Sequence, residues 1–428
     1  MGTEGDSRAG VRRRSLLGRI VIDTRPLKIR DFRRLWLSTG ITAMGSQVAA
    51  VAAPKQVYDL TGSSGWVGLT GAVGLVSLIV FGLWGGAIAD AFDRRTVIIV
   101  CGVGVMVTSA LLWAQSFVGL DSVWVVLVLL GVQQAFAAVS SPTRSAVIPR
   151  LVPGHLVAPA NALGFTVYTV GAVFGPLAAG TLIPLVGLST LYLVDTVALA
   201  LVLPLVLRLP AMPPEGNAPA RAGVRDIVAG FRYMATKTVL LASFLIDIIA
   251  MVFGMPRALF PEMAAETFGG GFALGWLYAA IPIGAAVCGL FSGWLSRLPR
   301  QGVVVTFAVI VWGGAMVGFG LSAALPVAVA FLALGGAADL VSAVHRGAIL
   351  QTASTDEMRG RMQGVFTVVV AGGPYVADVM HGWAATAIGP AAATVVGGLL
   401  VIIVVIGAVA ALPAFWRYIA PADTTPNN

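Results

Sequence analysis

Three features of this sequence predict an all-α membrane protein of twelve transmembrane helices in two pseudo-symmetric six-helix bundles. Apolar residues make up 58% of the 428-residue chain and charged residues only 11%, against about 25% charged in an average soluble domain. Apolar runs of about 20 residues, enough for a helix to cross a hydrocarbon core of about 30 Å, recur almost from end to end. The cations collect in the gaps between alternate runs, as the preference for Lys and Arg in cytoplasmic loops requires.

The runs place spans at 35–58, 66–89, 96–117, 122–143, 160–184, 188–207, 239–261, 273–296, 303–324, 326–348, 362–387 and 391–415. Spans 9 and 10 nearly fuse. The alternating segments of about ten residues that mark a β-barrel are absent from this pattern. Residues 1–34 are polar and basic, so no cleavable signal peptide is expected. They form a cytoplasmic N-terminal segment, followed by a first bundle (35–207), a linker (208–238), a second bundle (239–416) and a cytoplasmic tail (417–428). The linker is Pro-rich and ends in an amphipathic run. Val224, Ile227, Val228 and Phe231 share one face there, opposite Arg225 and Arg232, which suits a helix on the inner membrane surface.

The formal charge is +8, with 27 Lys and Arg. Ten of them lie in residues 1–34, and fifteen more sit in gaps that face the same side if both termini are cytoplasmic, Arg144 and Arg346 included. Membrane orientation therefore explains the charge, and nucleic acid is not expected as a partner. Lys55 and Arg257 alone break the rule. Cys101 and Cys288, in mid-span, read as packing residues. The sequence contains no GxxxxGK[ST] phosphate loop and no HExxH, so neither ATP-driven pumping nor zinc hydrolysis is expected, and no metal or cofactor.

The halves superpose at an offset of 202. "RSAVIPRLVPGHLVAPANAL" from Arg144 then faces "RGAILQTASTDEMRGRMQGV" from Arg346, and Pro54-Lys55 falls on Pro256-Arg257. "GPLAAG" in span 5 and "GPYVAD" in span 11 match at 198. Two structural repeats with a substrate path between them are expected.

"GGAIADAFDRRTV" at the end of span 2 resembles the cytoplasmic loop signature of the major facilitator superfamily. Gly86, Asp90, Arg94 and Arg95 fit, while Ala91 and Asp93 depart from it. A tight turn at Gly86 and an acid beside guanidinium groups would make a charge-locked inner gate. "LYAAIPIGAAVCGLFSGWLS", "PRALFPEMA" and "ILQTASTDEMRGRMQGVF" look like the branch containing bacterial enterobactin exporters. The resemblance covers residues 30–415 and implies export of small molecules by proton exchange across the inner membrane; a monomer is expected. "GAVFGPLAAG" in span 5, with Gly171, Gly175, Pro176 and Gly180, is similar to the superfamily's antiporter signature. Where many drug antiporters carry an arginine in span 4, this chain reads "LGVQQAF", with Gly131. That departure sends the search for proton coupling elsewhere.

Four acids fall inside spans: Asp195, Asp247, Asp339 and Asp378. A charge at helix centre costs about 2.5–3.5 kcal/mol on insertion scales, which makes each a functional candidate. Asp378 and His381, three apart, share a helix face and could share a proton. Asp247 and Asp339 are further candidates for coupling, and Asp195, on a peripheral helix, is a weaker one. Gln47 and either Gln133 or Gln134 offer neutral polar contacts. Asp247 is ten residues from Arg257, about 15 Å along a helix, so the two are not a direct pair. Lys55 and Arg257 either reach the outer headgroups, pair with Glu262, Glu266 or Asp59, or flank the mouth of the pathway. The function expected is proton-coupled export of a small amphipathic, often anionic molecule. Efflux of cationic or neutral antibiotics is the alternative, and a transport-silent sensor or lipid-handling protein is the reading from another class.

Overall fold

The computed structural model describes residues 23–82, 84, 85, 88, 91–214 and 224–419. Gly86 and Asp90 of the loop signature lie outside these residues, as do the side chains of Val224, Arg225 and Ile227. The described residues are helical almost throughout, and ten helical stretches among them are long and apolar enough to cross a membrane.

The first half opens with α1 (Arg30–Thr61), which Gly62 ends in the left-handed conformation, φ 63°, open to glycine without steric cost. It continues with α2 (Ser64–Ser77), which runs on through a π turn, Leu78–Gly82, then α3 (Arg94–Val118) and α4 (Val123–Leu151). α5 (Val157–Leu207) is one helical run of 51 residues with a reversal at Gly187, φ 79° and ψ 163°. Contacts along α1 prove the reversal. Gly40 meets Val167 and Gly175 meets Gln47 on the way out. The Tyr192 hydroxyl donates to Gln56 (3.0 Å) and Arg34 to the Arg208 carbonyl (3.0 Å) on the way back.

The second half follows α6 (Val224–Thr236), whose Gly230 lies against Arg361 and Val365. It comprises α7 (Thr238–Gly254), the short α8 (Phe260–Glu266), α9 (Gly271–Leu290), α10 (Gln301–Gly320), α11 (Leu325–Ala353), α12 (Asp356–Ile388), α13 (Pro390–Ala411) and α14 (Pro413–Trp416). The start of α1 and the end of α14 lie at one end of the bundle, here the terminal end; the turns at Gly62, Gly187 and Gly389 mark the distal end.

Two expectations are corrected. Span 7 is not one helix over 239–261. It stops at Gly254, since Pro256 keeps Met255 out of the helical region (φ −116°, ψ 85°). The chain then makes a single 3-10 turn, Arg257–Leu259, before Pro261 helps to start α8. Likewise, span 10 does not end at 348 with Arg346 in the cytoplasmic margin. α11 continues to Ala353, and Arg346 is only 4% exposed.

Glycine lets the halves approach. α5 and α9 meet where Gly180 faces Gly275, and α2 and α12 meet where Gly68 faces Gly382 and Gly71 lies against Asp378. Gly171 and Gly175 seat the same α5 stripe on Ala43 and Gln47 of α1. With no hydrophobic drive between helices in lipid, such backbone contact is what packing must supply. Gly275→Leu should therefore lower the stability of the detergent-solubilised protein by about 1–3 kcal/mol, the usual range for overpacking. Thermal unfolding followed by size-exclusion fluorescence checks this against Gly407→Leu, a position with open space around it.

Candidate functional site

A cavity of about 400 Å³ lies between the halves. The first half contributes Gln47, Thr70, Gln134 and Tyr168, and the second Arg257, Tyr278, Tyr375 and Asp378. Clefts of about 900 and 620 Å³ also exist, but they are lined mostly by apolar groups such as Val76, Phe81, Trp124, Leu182 and Val194. Those side chains are exposed on the outside of the bundle, where lipid would cover them. The smaller cavity holds both Arg257 and Asp378.

The helix break explains how Arg257 reaches this cavity. Freed from α7, its Nη2 donates to Asp378 Oδ2 at 2.9 Å, with the two side chains 32% and 11% exposed. The Tyr278 hydroxyl donates to the Arg257 carbonyl (3.3 Å), and Tyr375 accepts from Gln134 Nε2 (3.1 Å). Gln134 is thus the member of the glutamine pair that meets the second half, while Gln133 is buried.

The same break separates Asp378 from His381. The Phe253 carbonyl, which the broken helix leaves without its usual N–H donor, lies 3.0 Å from His381 Nε2. Asp378 is committed to Arg257, so the two residues have different partners in spite of their shared face. Lys55 is likewise placed apart from Arg257. It pairs with Asp59 one turn on in α1, an unbroken helix, and only its neighbour Pro54 lines the cavity.

Above the cavity the distal end is closed. The Tyr58 hydroxyl donates to Glu266 (2.8 Å), and the Ser64 hydroxyl donates to Glu262. Both bonds join the halves.

A second charged cluster sits within the second half. Arg346 pairs with Asp247, itself 1% exposed, and approaches Asp339 at 3.6 Å. Sequence reasoning gave Asp247 no partner and assigned Arg346 to the surface. The only signal was the hydropathy of the residues after Arg346, too weak to extend the span. In the first half, Asp195 accepts from Ser109 (2.7 Å). Asp93, treated above as a departure from the loop signature, caps α3 through the Thr96 N–H (3.0 Å) and accepts from the Met212 N–H (2.7 Å). Arg94 and Arg95 hydrogen-bond to the Ala146 and Leu207 carbonyls.

A polar, charged cavity between two glycine-seated helical halves defines a multi-pass membrane transporter. The chain belongs to the major facilitator superfamily: the family model described as transmembrane secretion effector matches residues 23–427. It is 31% identical over 393 residues to the enterobactin exporter EntS of Shigella boydii serotype 18, covering 87% of this chain and 89% of that one. The exporter of the same name from Citrobacter koseri is 30% identical over the same shares. A crystal structure of a mutant peptide transporter POT shares the fold, with a TM-score of 0.74 at 11% identity over 91% of this chain and 95% of that one.

Arg346→Ala should destabilise the protein by about 3–5 kcal/mol, because Asp247 is left buried without a counter-charge. Adding Asp247→Asn should recover most of the loss. Urea or thermal midpoints of the single and double variants in one detergent test the pairing.

Proposed function

We propose that this protein exports a small amphipathic molecule, siderophore-like or another secondary metabolite, from the bacterial cytoplasm by proton antiport with alternating access. The protein lies in the inner membrane as a monomer, with twelve crossings and both termini cytoplasmic. In that reading α5 supplies two crossings around Gly187, and α1 one more beyond the ten apolar stretches. The observation that carries the proposal is the Arg257–Asp378 pair in a cavity shared by both halves, beneath a distal end held shut by Tyr58–Glu266 and Ser64–Glu262.

The pair suits exchange. A cargo hydroxyl or amide N–H donates most strongly to the charged Asp378 carboxylate, and a proton on Asp378 removes that charge, weakening the cargo's hydrogen bond and breaking the ion pair with Arg257. Cargo and proton then disfavour one another, which is the requirement for antiport. Tyr168, Tyr278 and Tyr375 supply aromatic faces for the apolar part of the cargo. Gln47 adds a neutral contact. Asp339 and Asp247, held by Arg346, are the reserve for coupling, as is His381 should the α7 break rearrange. Asp90, with Gly86, Arg94 and Arg95, is assigned to the inner gate, and Arg257 to the outer part of the path.

Cargo-dependent proton movement in proteoliposomes tests the proposal, with the cargo first sought among metabolites lost from the medium of a deletion strain, with and without iron. No proton movement with any exported metabolite would favour the sensor reading. Export restricted to cationic antibiotics would favour the efflux alternative. Asp378→Asn should abolish uphill export, a loss of at least tenfold, at unchanged membrane levels. Asp90→Asn should cripple transport but not insertion; wild-type efflux by that variant would remove Asp90 from the gate.

A further inference from the structure

The repeat that aligns Arg144 with Arg346 leaves the two arginines in opposite electrostatic states. Arg346 is answered by Asp247 and Asp339. Arg144 has no carboxylate within 4.0 Å among the described residues; its nitrogens meet only hydroxyls. Nη1 donates to Ser38 Oγ (3.0 Å) and Thr39 Oγ1 (3.1 Å), and Nε donates to Ser140 Oγ (3.2 Å). These three bonds fix the guanidinium plane without neutralising it, and Nη2 makes no hydrogen bond to the described residues. The residue lines a separate cavity of about 290 Å³, together with Ser46, Gln133, Ser141 and Ser145. Asp195 also lines this cavity, with one carboxylate oxygen occupied by Ser109.

We propose that Arg144 is an anion-binding subsite, which takes a carboxylate of the cargo while the rest of the molecule extends toward Asp378. Hydroxyls orient the half-buried guanidinium but leave its charge uncompensated, so an anion that enters the cavity gains a charge-assisted contact, and Nη2 is the nitrogen left to donate to a carboxylate oxygen. The two cavities share Ala50, Leu130 and Gln134 in their walls. Gln134 precedes Arg144 by ten residues of α4, about 15 Å of helix rise, so an elongated molecule can touch both stations. Because Arg144 lies in the last turns of α4, toward the terminal end, it is the station reached first from that side. This assignment rests on the transport reading and adds the charge of the cargo to it.

The probes are 4-fluorobenzoate and 4-fluorobenzamide, near-isosteres that differ in charge, titrated against the purified full-length protein in a neutral detergent by 19F NMR. Wild-type protein is expected to bind the benzoate at least about tenfold more tightly, the gain of one charge-assisted contact. Arg144→Gln should bring the ratio close to one, and Arg144→Lys should leave it intermediate, both with wild-type thermal midpoints. Arg257→Gln should keep the benzoate preference, which assigns the charge selectivity to Arg144. A wild-type ratio near one, or a preference that survives Arg144→Gln, overturns the subsite. Should Arg144→Gln aggregate, Arg144→Lys decides: a benzoate preference undiminished from wild type in that variant overturns the subsite. An Arg144-dependent preference without cargo-driven proton movement would sink antiport and leave the subsite standing.

Discussion

A guanidinium in a medium of low dielectric must find an anion, a set of hydrogen-bond acceptors, or water, because its charge cannot be removed by deprotonation. Three of the described arginines meet the constraint in different ways. Arg346 is neutralised by Asp247 and approached by Asp339. Arg257 meets Asp378 at the wall of a cavity. Arg144 is held by three hydroxyls beside another cavity. The positions of these answers determine which parts of the bundle are rigid and which can exchange partners. A pair at 4% and 2% side-chain exposure has nowhere else to turn, whereas one at 32% and 11% faces a space that other molecules can enter.

That space exists only because the halves approach closely on either side of it. The glycine contacts of α2 with α12 and of α5 with α9 bring backbone against backbone, leaving the larger side chains to surround the cavity. Gly71 links the two features, since a side chain there would meet the Cβ of Asp378. Backbone packing and charge placement are therefore one design in α2 and α12. Bulk added to the stripe would push Asp378 off Arg257.

Helix content, the reversal near residue 187 and the acids inside the spans were legible in the sequence, because apolar run length and the placement of charge report directly on membrane geometry. The partners of those acids were not. Asp378 and His381 share a face by spacing, but spacing says nothing about which helix packs against that face, and the α7 break gives each a different answer. Arg346 was misplaced for a related reason. Apolar run length ends a span at its last favourable window, while α11 continues through a charge compensated by Asp247 of α7, 99 residues away in sequence. Asp93 looked like a flaw in a motif because its two partners, an N-cap amide and the Met212 N–H, lie in backbone that sequence does not display.

The two halves align at an offset of 202 residues. That offset pairs Lys55 with Arg257 and Arg144 with Arg346, yet in each pair the two members are solved differently. Pro54 is absorbed within α1, so Lys55 reaches only its own helix neighbour Asp59. Pro256, with Pro261 five residues on, breaks the matching helix and delivers Arg257 to the cavity. In the other pair it is the second-half arginine that is neutralised and the first-half one that keeps its charge available. A repeat supplies two equivalent frames, but a path between them needs unlike ends if a molecule is to meet different chemistry as it advances. Here each half surrenders one cation to a local acid and keeps the other beside a cavity. The two that remain stand at different depths, Arg144 toward the terminal end and Arg257 beneath the closed distal end, and the symmetry of the frame is thereby converted into a sequence of stations.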